Sequence, residues 1–112
     1  MNWIVTASFV TSEGGNATFR HSTESMNRAI VLAVNEIMMA VHDAIPAFPR
    51  GNPAYLPVQR AYDLLASGDI PIAERLDRGL KLWQEVLALA PGKVPPSYAR
   101  GAVLLDVTVS QG

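Results

Sequence analysis

The sequence predicts an α+β domain: a small antiparallel or mixed three-stranded sheet, in the order β-β-α-α-α-β, with helices packed on one face. Three observations carry that prediction. Two N-terminal stretches alternate apolar and polar residues around the turn "TSEGGN". The middle of the chain repeats apolar residues at helical spacing, broken by proline-rich joints. The end, "AVLLDVTVS", returns to a β-branched apolar run. Period two marks strands and period 3.6 marks helices, so the order of elements follows from the order of periods.

In "NWIVTASFV", Trp3, Val5, Ala7 and Phe9 share one face. Gly14-Gly15-Asn16 can take positive φ and reverse the chain. "ATFRHS" then returns with Ala17 and Phe19 toward the core, so residues 2–22 read as a β-hairpin. Ser22, Thr23 and Ser25 are each able to cap the helix that follows. On that helix Met26, Ile30, Ala33, Ile37, Val41 and Ala44 form a core stripe. Pro46 and Pro49 end it. Residues 49–57, "PRGNPAYLP", read as an ordered loop. A second helix is expected over about 57–67, with Val58, Ala61, Tyr62 and Leu65 inward. Asp69 can cap a third, with Pro71 in its first turn. That helix runs to about Ala90 on a stripe of Ile72, Leu76, Leu80, Trp83 and Leu87. "PGKVPPSYARG" breaks the chain once more. In the last strand Val103, Leu105, Val107 and Val109 share a face by strict alternation. Being apolar on nearly both faces, this strand is expected at the centre of the sheet.

With 112 residues, 49% hydrophobic, the chain is expected to form a single domain over residues 1–112. The formal net charge is -1 and no basic run occurs, which argues against nucleic acid as partner. Cysteine is absent, removing disulfides, thiol chemistry and Cys-ligated metal. With neither disulfides nor a signal-peptide pattern, a cytoplasmic location is expected. The longest wholly apolar run, "AIVLAV", is too short for a bilayer, so no membrane partner is expected. Only 17% of residues are charged, which favours an oligomer that hides part of its surface.

The stretch "VNEIMMAVHDAIPAFP" raises the sharpest functional question. Val31, Leu32, Asn35, Met38, Met39 and His42 lie on the side of the first helix away from its core stripe or on its flank. A methionine-bearing apolar patch on a helix suits an adaptable contact surface. Glu36, His42 and Asp43 are also there, residue types that do general acid–base work or bind metals. Their spacing is poor for it. Glu36 and His42 are six apart, not the three or four that would align two ligands on a helix, and adjacent His42 and Asp43 are expected to diverge. Glu36 and Asp43, seven apart, nearly align. A second candidate surface comes from the proline-stiffened loops, each with a Tyr and an Arg: Arg50 with Tyr55, and Tyr98 with Arg100. Together these could line a pocket. Asp106 interrupts the apolar last strand and is expected to pair with Arg100 or Arg20.

These observations predict a non-enzymatic intracellular protein-interaction module, homodimeric through the outer face of the first helix, with no catalytic residue, metal or cofactor. One alternative is a small-molecule or peptide-binding module with an aromatic pocket near the proline-rich loops. Another is a small enzyme using His42 with Glu36 or Asp43.

Overall fold

In the computed structural model, which describes residues 2–112, the alternating N-terminal stretches form β1 (Trp3–Thr11) and β2 (Asn16–Thr23). They pair antiparallel without interruption, Trp3 opposite Thr23 through Val10 opposite Asn16. The turn between them closes with the Thr11 N–H donating to the Gly15 carbonyl oxygen at 2.8 Å and Gly14 at φ 84. Helix α1 spans Met26–Ala44. Of the three possible caps it is Ser25 whose hydroxyl accepts from the Arg28 N–H, at 3.2 Å. A 3-10 turn, Ile45–Ala47, follows where Pro46 ends regular helix. Helix α2 (Tyr55–Ala66) begins two residues earlier than expected. Pro57 sits in its first turn, where a missing N–H costs nothing, and Asn52 bonds the Ala54 N–H at 2.9 Å. Helix α3 spans Ile72–Leu89, and β3 spans Ala102–Gln111.

Asp69 does not cap α3; Pro71 stands at that position. The α2–α3 joint is fixed instead by Arg75. Its guanidinium donates to the Ile70 carbonyl at 2.8 Å and the Leu65 carbonyl at 3.3 Å. Gly79 lets the two helices meet closely: a Cβ there would lie 2.6 Å from Leu65 Cδ2.

The sheet order is β2-β1-β3, antiparallel throughout, with the helices on one face. The central strand is therefore β1, not the last strand. The expectation failed because β3 is not regular. Its register with β1 slips between Ser8 and Phe9: Ser8 faces Asp106 while Phe9 faces Leu104, so Leu105 is an extra, bulged residue. The slip reverses the faces beyond it. Val107, Leu104 and Ala102 are buried, whereas Val103 is only half-buried and Leu105 exposed. The apolar residues on both sides of β3 thus reflect a change of face at a bulge, not burial from both sides.

Under the helices, Val5, Ala7 and Phe9 meet Ala33, Ile37 and Val41 of α1 and Trp83 and Val86 of α3 in one core. The 22 residues Met26–Ala47 are long and apolar enough to cross a membrane by length and composition. Here the same residues form the core helix, with Ala29, Ala33, Ile37, Val41 and Ala44 fully covered. Among the described residues no helix lies over the other sheet face, which carries Thr6, Ser8, Thr18 and Thr108. Coverage is also uneven on the helical side. Ala17 and His21 of β2 are exposed and Phe19 half-buried, although their partners Phe9, Val5 and Ala7 are buried. The helix layer stops short of β2, which overhangs.

Candidate functional site

The overhang creates a surface beside α1. Residues of α1 form one wall, β2 floors the inner part, and the turn before β3 closes one end. Two adjoining hollows result. The inner one, about 270 Å³, lies between Phe19 and His21 on β2 and Leu32, Asn35 and Met39 on α1. The outer one, about 400 Å³, is lined by Met38, Met39 and His42 of α1, by Tyr62 of α2, and by Tyr98. Met39 belongs to both.

The turn that closes this surface is built from residues 97–101. The Gly101 N–H donates to the Ser97 carbonyl oxygen at 2.7 Å, and the Ser97 N–H to the Ala102 carbonyl oxygen at 2.8 Å. Gly101 has φ 65, a left-handed conformation in which a side chain would be strained. Two carboxylates of α1 hold the turn from outside. Asp43 Oδ2 accepts the Tyr98 N–H at 2.7 Å. Glu36 accepts from the Arg100 guanidinium through both oxygens, Oε2 from Nε at 3.3 Å and Oε1 from the second nitrogen. The Arg100 guanidinium also stacks on the Phe19 ring, 3.7 Å from its centroid. One arginine thus links α1, β2 and the approach to β3.

This explains the near alignment of Glu36 and Asp43, seven residues apart on one helix. They are a clamp, two acceptors along one face that grip a single turn. Glu36 is buried, with 6% of its surface accessible, where sequence reasoning placed it on an outer, solvated face. Burial of a carboxylate requires a partner, and the bidentate arginine supplies it. The partner lies 64 positions away in sequence, and no local pattern announces it. Arg100 is therefore not the partner of Asp106, which faces Ser8 across the ladder.

The candidate residues fall into place unevenly. Leu32, Asn35, Met38, Met39 and His42 all line the two hollows, and Val31 lines neither. Tyr98 and Arg100 join them from the opposite wall. Arg50 and Tyr55 do not. They pair with each other, Arg50 Nε donating to the phenol oxygen at 3.4 Å, and line neither hollow. That bond raises the guanidinium pKa above its already high ordinary value. The four loop residues thus form no common pocket.

His42 and Asp43 do not diverge as expected. His42 Nδ1 lies 3.3 Å from Asp43 Oδ1. The imidazole is nonetheless 70% exposed, on the rim. Asp43 is already engaged by Tyr98, and Glu36 by Arg100. Among the described residues no three His, Asp or Glu side chains converge in a way that could hold a metal ion.

No protein-family model, curated protein or solved structure matches the chain.

Proposed function

We propose that the chain is a non-enzymatic protein-interaction module, intracellular and homodimeric, whose working surface is the outer face of α1 with the turn clamped against it. The observation that carries this is Tyr98. Its side chain is 95% exposed, yet its backbone is fixed by Asp43 and by the tight turn at Gly101. An aromatic ring held out on rigid backbone loses little conformational freedom on binding, which is the property of a contact residue. Beside it Met38 and Met39 line the outer hollow, and Leu32 lines the inner one; all three are half-buried. Thioethers and an aliphatic side chain at the edge of a hollow suit contact with another protein surface. The absence of cysteine from the sequence fits a reducing compartment.

Mass by light scattering, followed down a dilution series, tests the reading. A dimer that the double change Leu32→Glu, Met39→Glu converts to folded monomer supports it. A wild-type chain that stays monomeric at high micromolar concentration removes the self-association, and a dimer indifferent to both changes removes this face.

A further inference from the structure

We propose that the outer hollow binds a methylated ammonium group, the end of a methylated lysine side chain or of a free quaternary amine. This rests on the reading of the α1 outer face as the working surface and names what its outer hollow takes.

The first support is the lining. About 400 Å³ of space is bounded by the rings of Tyr62 and Tyr98, the thioethers of Met38 and Met39, and the carboxylate of Asp43. Aromatic faces carry negative potential and attract a cation, and sulfur is polarisable. Among the described residues no Lys or Arg lines the hollow. The one lining side chain able to carry positive charge is His42, and it sits on the rim, 70% exposed. One carboxylate without a fixed cation favours a positively charged ligand over a neutral or anionic one.

The second support is the inner hollow, where the chain completes the same arrangement by itself. There the carboxylate is Glu36, the ring is Phe19 and the cation is Arg100. The Arg100 guanidinium lies 3.7 Å from the ring centroid and bonds both Glu36 oxygens. Its charge is thereby taken up by Glu36. Asp43, two turns further along α1, receives the Tyr98 N–H at 2.7 Å and lies 3.3 Å from His42 Nδ1. Among the described residues it has no Lys or Arg in ion-pair contact.

The class of cation follows from the shortage of acceptors. A bare ammonium carries three N–H donors, each needing an acceptor once it leaves water. Asp43 is the one carboxylate in the lining, and both its oxygens already have a neighbour. A quaternary ammonium has no N–H to satisfy, and its methyl groups suit thioethers and ring faces.

Tyr98 gives the site a movable wall. Its side chain is 95% exposed and turns freely about its own bonds, while Asp43 and the Gly101 turn hold its backbone. Tyr62, the other ring, is half-buried on α2. A ligand meets one fixed ring and one that can fold onto it.

Choline is the probe, against its uncharged carbon analogue in which a tert-butyl group replaces trimethylammonium. Titrated into isotope-labelled protein, choline should shift the amide resonances of Met38, Met39, His42, Tyr62 and Tyr98. The analogue should bind about tenfold more weakly, the share a desolvated cation–π contact supplies. Tyr98→Leu keeps the backbone N–H that Asp43 holds and should weaken choline by about the same factor, whereas Tyr98→Phe should bind like wild type. Asp43→Asn keeps an acceptor oxygen and should weaken choline while leaving the analogue unchanged. A trimethyllysine peptide that outbinds both choline and its own unmethylated form assigns the group to a protein; choline outbinding the peptide assigns it to a small amine. Equal affinity for choline and its analogue, shifts confined to other parts of the chain, or no shift at millimolar choline overturns the site. Light scattering on the same samples reads self-association separately. A dimer that takes no choline overturns this site and leaves the interface standing, and a monomer that binds choline overturns self-association and leaves the site.

Discussion

The indole N–H of Trp83 donates to the carbonyl oxygen of Leu104 at 2.7 Å, fastening α3 to β3 next to the bulged residue Leu105. The bond lies inside the core, where Trp83 is 1% and Leu104 0% exposed. A bulge disrupts the ladder locally, and an indole that meets a carbonyl there keeps a buried acceptor satisfied. The same residue fills the space between helix and sheet.

Volume and hydrogen bond can be separated by two variants. Trp83→Ala removes both and should cost about 3–5 kcal/mol, as large aromatic truncations do. Trp83→Phe keeps most of the ring packing and leaves the Leu104 carbonyl unpaired, at a cost of about 1–3 kcal/mol. Urea unfolding measures both. If Trp83→Phe were as harmful as Trp83→Ala, the bond rather than packing would dominate.

The Glu36–Arg100 pair makes a second prediction. Glu36 is buried, and Arg100 is about a quarter exposed at 27%. Arg100→Met leaves a buried carboxylate without its cation, at a cost of about 2–4 kcal/mol. Glu36→Leu with Arg100→Met removes both charges and should cost less than the single Arg100→Met change. A double-mutant cycle by denaturant unfolding reads the coupling. If the two single losses simply added, the pair would contribute no coupling energy.

Why this pair escaped sequence reading, while most of the architecture did not, has a physical reason. Hairpin, helices and helix ends are set by local chemistry: Gly14 in the turn, the Ser25 cap, Pro46 at the end of α1. Such signals act over a few residues and can be read from them. The pairing of Glu36 with Arg100 is a long-range event, and a lone carboxylate beside Ile37 looks the same whether solvated or paired. The bulge at Leu105 is similar. Nothing in "AVLLDVTVS" distinguishes a change of face from a strand buried on both sides, and this one ambiguity moved β3 from the edge to the centre. The candidate surface was half legible. The stripe of Leu32, Asn35, Met39 and His42 follows from helical spacing. The turn that faces it needed the tertiary fold.

Asp43 supplies a third prediction. Its carboxylate takes the Tyr98 N–H, so Asp43→Ala should release the turn. Asp43→Asn keeps an acceptor oxygen and should hold it largely in place. The loss for Asp43→Ala is about 1.5–3 kcal/mol, in the range of one hydrogen bond to a charged group. The amide of Tyr98 should exchange faster with solvent in Asp43→Ala and little faster in Asp43→Asn. Unchanged exchange in both would show that the Gly101 turn suffices alone.

Sheet order yields the last. Amides of the central strand are shielded on both edges, whereas edge strands leave part of their backbone to solvent. Hydrogen exchange should therefore be slowest in β1, over Val5 to Phe9, where three of five side chains are also buried. Exchange from such a position follows global unfolding, and from an edge follows cheaper local opening. In β3 protection should be uneven and fall near Leu105, where the bulge breaks the ladder. In β2, an edge strand, exchange should be faster than in β1. Uniformly slow exchange across Val103 to Val107, with β1 faster, would return β3 to the centre and contradict the order β2-β1-β3.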